Sequence, residues 1–205
     1  MQTLARATGI VALALMVSAS IVLAQQASSV RVRGEITKTD GATLTVKSRD
    51  GQMVTIKLAE PFRIGAMVKA SLADIKQGSF IGVSAMPQPD GTQRAYAIHI
   101  FMDSQKGVVA DRFSPWDSQP GATMTNAYVA TTVAGKGGQN LLVKYKDGEK
   151  KIVVPPETTI ARYAPGTAVD LKIGAKVFIA AARRQPDGSL LAPNVAVGRD
   201  IDPPQ

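Results

Sequence analysis

From Val30 onward, apolar and polar residues alternate in short runs punctuated by Gly, Pro and Asp. Val30, Val32 and Ile36 alternate with Arg31, Arg33 and Glu35. Leu44 and Val46 alternate with Thr43, Thr45 and Lys47, and Val54, Ile56 and Leu58 share one face of the next run. A period of two marks half-buried strands. Asp40-Gly41 and Asp50-Gly51 supply the turns between them, because Gly takes the positive φ that a tight hairpin needs. Pro61 closes the third strand, and residues 66–75 are the only part of this half with room for a helical turn, ended by Gly78. A fourth strand starts at Phe80-Ile81-Gly82-Val83, turns at Gln88-Pro89-Asp90-Gly91, and a fifth returns with Tyr96, Ile98 and Ile100 on one face. Five short strands with one irregular piece between the third and fourth predict a small OB-like barrel.

The second half repeats this order. Gly138, Leu141, Val143, Lys144 and Asp147-Gly148 match Gly41, Leu44, Val46, Lys47 and Asp50-Gly51 at an offset of 97 residues, and the same offset sets Val153 against Ile56. Residues 170–174 match 74–78 at an offset of 96, Gln185-Pro186-Asp187-Gly188 repeats the earlier turn letter for letter, and Val195 and Val197 match Ile98 and Ile100. The expected fold is all-β: two tandem small OB-like β-barrels joined by an irregular connector, after an N-terminal signal peptide. The expected boundaries are a signal peptide at 1–24, one barrel at 30–102, a connector at 103–125, a second barrel at 126–199 and a tail at 200–205. Two copies at so long a period indicate a duplication rather than a solenoid.

The leader adds a compartment to this reading. Arg6 precedes an apolar run over 10–23, and Val22-Leu23-Ala24 resembles a signal-peptidase site followed by Gln25-Gln26. The run is short for a bilayer span, so a cleaved export signal is expected, with a bacterial periplasmic or secreted location. The chain has no Cys, which excludes disulfides, thiolate metal sites and a lipidated N-terminal Cys. Its formal charge is +8, and a basic exported protein attracts anionic lipid, polysaccharide or nucleic acid.

Catalytic chemistry has little material. His99 is the sole histidine, and its alignment with Ala196 points it away from its barrel core. Five Asp residues precede Gly and are explained by turns. Five scattered Met residues follow the leader; thioethers suit Cu(I), but dispersed Met is ordinary packing. No catalytic residue, metal ligand or cofactor site is therefore assigned. Lys144, Lys146, Lys150, Lys151 and Arg183 are candidate ligand-binding residues, since OB-type barrels bind polymers across their middle strands. Nucleic acid is disfavoured, because single strands need stacking aromatics beside the charge and only Tyr145 is near. Arg112, Phe113, Trp116 and Asp117 of the connector are candidates for a contact between the domains or with a partner, with Trp116 expected to plug the joint between the barrels.

The Ala73-Asp74-Ile75-Lys76-Gln77-Gly78 block, the Gln-Pro-Asp-Gly turns and the Pro115-Trp116-Asp117…Met124-Thr125-Asn126 stretch resemble an uncharacterised family of exported bacterial proteins built from domains of unknown function. Some of its members are described as permeases of metal transporters, a role that needs several spans. Relatives often carry a His shortly before Pro-Trp-Asp. Here the stretch reads Asp111-Arg112-Phe113-Ser114, so no His-dependent role carries over. The function expected is a non-enzymatic periplasmic binding or adaptor protein that engages an anionic envelope polymer, a lipid surface or a protein partner. The alternatives are an accessory protein in envelope metal handling and a carboxylate-dependent hydrolase.

Overall fold

The computed structural model describes residues 29–135 and 138–203; the expected signal peptide at 1–24 lies outside the described residues. Among the described residues the protein is almost all β, with 61% strand and 5% helix. The strands are β1 (Val30–Thr39), β2 (Thr43–Ser48), β3 (Met53–Lys69), β4 (Phe80–Pro87), β5 (Gln93–Ile100), β6 (Arg112–Pro115), β7 (Thr123–Gly135), β8 (Gly138–Tyr145), β9 (Gly148–Val154), β10 (Thr159–Pro165), β11 (Lys176–Arg184) and β12 (Leu190–Gly198). Among the described residues no helix is long and apolar enough to cross a membrane.

Two five-stranded barrels close, and each takes strands from both halves of the chain. The first runs β1–β2–β3–β12–β11 and back to β1, with β3 and β12 parallel. The second runs β7–β8–β9–β5–β4 and back to β7, with β9 and β5 parallel. Their cores follow the same division. Val32, Ile36, Leu44, Val46 and Ile56 pack with Val177, Ile179, Leu190, Val195 and Val197 in the first. In the second, Ile81, Val83 and Ile98 pack with Val129, Leu141, Val143 and Ile152. The expected boundaries at 30–102 and 126–199 therefore do not divide the cores. Alternation reports which face of a strand is buried, and says nothing about which neighbour it pairs with.

The exchange is made by β3. Its first part pairs with β2, while Arg63–Met67 runs beside β12 and Gly65–Lys69 pairs antiparallel with β10. The chain thus leaves the first barrel in extended form and delivers β4 to the second. A two-fold relation centres on this ribbon. Met67 faces Tyr163, its counterpart 96 residues on, and Ala66 opposite Ala164 answers Val68 opposite Arg162. Short 3-10 turns follow on each side, Leu72–Asp74 and Ala168–Asp170, where Asp74 accepts from the Ser71 N–H and Asp170 from the Thr167 N–H, both at 2.8 Å.

Registers also correct one alignment. Ile56 lies opposite Leu44 and Ile152 opposite Leu141, so the counterpart of Ile56 is Ile152 rather than Val153; the β8–β9 turn is one residue shorter. The two Gln-Pro-Asp-Gly turns are built alike. Gly91 and Gly188 have φ of 83° and 82°, Asp90 accepts from the Thr92 N–H at 2.9 Å and Asp187 from the Ser189 N–H at 3.0 Å. These are Asx-type turns, and they close the last hairpin of each half.

Candidate functional site

The connector is fastened to both barrels. Its β6 adds to the second barrel by pairing with the first part of β7, Phe113 opposite Thr125 and Ser114 opposite Met124. Thr125 is fully buried, and Phe113, opposite it, lies on the same side of the sheet. Lys150 sits opposite Val143, on the core side, and its Nζ lies 4.5 Å from the centre of the Phe113 ring. An ammonium at a core-facing position is compatible with the fold because it meets the negative face of an aromatic ring.

Beyond β6 the chain crosses to the first barrel. Trp116 packs edge-on against Phe178 at 6.1 Å, with the guanidinium groups of Arg31 and Arg33 at 4.7 and 4.9 Å from its ring. Asp117 binds both arginines, at 2.7 Å to Arg33 and 3.2 Å to Arg31. Partial burial acts to raise the Asp117 carboxyl, but the hydrogen bonds and charges of Arg33 and Arg31 outweigh it and hold its pKa below the usual 3.8. Arg33 is buried, its side chain 5% exposed, so this is the stronger of the two pairs; an exposed pair such as that with Arg31 contributes about 1 kcal/mol or less. Arg49 donates to the carbonyls of Asp117 and Ser118 at 3.4 Å each, and the Ser118 hydroxyl bonds that of Tyr96 on β5. Trp116 and Asp117 thus lie against Phe178, Arg31 and Arg33 of the first barrel, while Arg112 is exposed at the edge of the second barrel.

A groove of about 650 Å³ opens beside this joint, walled by Phe113, Pro115, Trp116 and Pro120 with Arg49 at its side. The indole Nε1 of Trp116 is buried without a hydrogen-bond partner among the described residues. An aromatic, apolar wall with an arginine beside it is the composition that protein and ligand contacts favour.

A smaller cavity of about 270 Å³ lies by the central ribbon, lined in part by Met67, Ser84, Tyr96, His99, Asp202 and Pro203. His99 points out of its own barrel core yet is only 6% exposed, because its ring lies over Gly82 and packs edge-on against Phe101 and Tyr163. Burial pushes its pKa down to about 4, so the ring is neutral near pH 7. Its Nδ1 has no hydrogen-bond partner among the described residues, so no carboxylate orients it as a general base would require. Among the described residues no three His, Asp or Glu side chains gather as a metal-ligand set.

The basic candidates do not form a single cluster, although Lys144 and Lys151 share the outer face of the β8–β9 hairpin. Lys144 and Lys151 are exposed on β8 and β9, Lys146 is exposed in the turn after β8, Lys150 is turned to Phe113, and Arg183 is exposed on β11 of the other barrel. Sequence reasoning missed the role of Arg31, Arg33 and Arg49 in seating Trp116 and Asp117. It also missed an aromatic row of Tyr128, Phe80, Phe101 and Tyr163, with neighbouring ring centres 4.7–5.6 Å apart. The signals were faint: arginines two residues apart on one strand, and single aromatics on four separate strands or strand ends. Comparison with protein families, with curated proteins and with solved structures finds no match.

Proposed function

We propose that this chain is a non-enzymatic binding or adaptor protein of the bacterial cell envelope. In this reading it is exported by its N-terminal segment, arose by duplication of one five-stranded unit, and engages another envelope protein through the groove beside the connector. The observation that carries it is the groove: Phe113, Pro115, Trp116 and Pro120 line it with Arg49 at its side, on a segment fastened to the first barrel by the pairs of Asp117 with Arg31 and Arg33 and to the second by the pairing of β6 with β7. A rigid aromatic wall loses little entropy on binding. A protein partner is favoured over an anionic polymer because the lysines of the second barrel and Arg183 of the first lie on different barrels, and Lys150 is taken up by Phe113.

The test is site-specific photo-cross-linking in a producing bacterium. Gln119, exposed on the groove wall, is replaced by a photoreactive phenylalanine. Discrete protein adducts are expected, and the further change Trp116→Ala removes them. Absence of adducts from Gln119, with adducts instead from the face of Lys144 and Lys151, overturns this site.

A further inference from the structure

The two barrels differ at one edge. In the second, the first part of β7 is flanked by β4 on one side and β6 on the other. In the first, the corresponding part of β1 is flanked by β11 alone among the described residues. The correspondence follows from the registers. Glu35 lies opposite Lys47 and Lys176, and Tyr128 lies opposite Lys144 and Phe80, so Glu35 matches Tyr128. By the same count Arg31 matches Met124 and Val32 matches Thr125, the residues that face Ser114 and Phe113 of β6.

The backbone of β1 presents this edge for pairing. The Ile36 N–H donates to the Ala175 carbonyl and the Ile36 carbonyl accepts from the Gly174 N–H, so Ile36 bonds toward the β11 side. The Arg33 carbonyl accepts from the Arg49 N–H on the opposite side. Backbone groups alternate in direction along a strand, so the N–H and C=O of Arg31 face this same side, where no strand among the described residues pairs with them. The floor is apolar as well. Lys150, which carries the Phe113 ring in the second barrel, has Val54 as its counterpart, since Val54 lies opposite Val46 as Lys150 lies opposite Val143. Val54 and Val30 are half-buried against the first core.

We propose that the edge of β1 at Val30–Val32 is a docking slot for an extended segment of a partner protein, which adds antiparallel to β1 as β6 adds to β7 and lays one aromatic or large aliphatic side chain over Val32 and Val54. An open strand edge is a template for strand addition, in which main-chain bonds give affinity and alternate side chains give selectivity. The second barrel shows that this barrel type accepts such a strand, and shows its chemistry: extended, with a Phe toward the core. Arg49 ties the slot to the groove, since its N–H caps the Arg33 carbonyl at one end while its guanidinium holds the connector. The inference rests on the adaptor reading and names the form of the partner segment.

The probe is a synthetic nonapeptide with the sequence of residues 107–115, titrated into the whole mature protein labelled with nitrogen-15. Saturable shifts are expected at the Arg31 amide and around Val54, with slowed hydrogen exchange at Arg31. Replacing the peptide's Phe by Ala weakens binding by about tenfold or more, from the loss of one buried aromatic side chain. Val54→Asp, at a half-buried position, weakens it likewise in a protein whose circular dichroism is unchanged. Shifts confined to Met124 and Thr125 mean that the peptide merely exchanges with β6, and overturn the proposal. Shifts at the Trp116 indole without any at Arg31 also overturn it, while leaving the groove as the binding site. An Arg31 amide already protected in the free protein, together with a dimer in sedimentation, assigns the slot to a second copy and overturns the partner.

Discussion

The first and second barrels share a strand order but fill equivalent positions with different side chains. On the outer face of the second, Gly82 lies opposite His99; at the matching place on the first, Phe178 lies opposite Ala196. The large residue has moved from one strand to its neighbour. In the second barrel the histidine ring uses the space a glycine leaves, since a Cβ at Gly82 would stand 2.0 Å from His99 Nε2. In the first, the phenylalanine supports Trp116 and Arg33, whose guanidinium lies 5.0 Å over its ring. Each pair is close-packed in its own way, so neither residue can be exchanged alone. One barrel holds the connector's strand and the other holds its tryptophan.

That comparison is broken most severely by Gly82→Phe. With His99 in place the new ring has no room, and a loss of about 3 kcal/mol or more is expected from overpacking, measured by urea unfolding. Adding His99→Ala, which imports the first barrel's solution, recovers at least half of the loss. No recovery would mean that the two faces are not interchangeable.

Next in size is a pH effect that only the second barrel carries. His99 titrates near 6.5 when unfolded and at about 4 when folded. Its folded pKa is depressed, so its contribution is complete above pH 6.5 and is lost as pH falls toward 4, because the unfolded chain takes up a proton that the folded one refuses. The shift corresponds to about 3 kcal/mol across that window. The Gly82→Phe/His99→Ala double variant should lack this slope. An unchanged slope would place the titration elsewhere.

A smaller effect is expected at the end of the barrel. Lys150→Val brings in the first barrel's residue, Val54, and removes an ammonium–ring contact, so stability should change by about 1 kcal/mol or less. A loss of several kcal/mol would mean that the lysine does more than cover Phe113.

The strands and turns were legible in the sequence because they depend on near neighbours. Alternation from Val30 to Ile36 and Pro-Asp-Gly after Gln88 and Gln185 each specify local geometry. His99 facing away from its core was legible too, through Ile98 and Ile100 on either side. Which strands pair was not legible. An exchanged and an unexchanged barrel have the same strand order and the same buried faces, and they differ only in whether β3 turns back or runs on to β10. The joint was partly legible, as a lone Trp beside Asp in a break between patterns. The arginines that hold it were not, because Arg31 and Arg33 lie more than 80 residues from Asp117 and look like the polar face of a strand. Lys150 looked like a solvated lysine for the same reason, since Phe113 reaches it only through the pairing of β6.

The exchange of strands between the halves is tested most directly on the unmodified protein. Lys57 Nζ and Asp187 Oδ2 are 2.5 Å apart, with side chains 48% and 54% exposed, and their contact exists only if the first half's third strand lies beside the second half's last hairpin. In an unexchanged barrel the matching partner of Lys57 would be Asp90, the same residue of the first half's own turn. Zero-length carbodiimide coupling, followed by mass spectrometry of peptides from the monomer, should join Lys57 to Asp187. A Lys57–Asp90 linkage in the monomer, without Lys57–Asp187, would contradict the account.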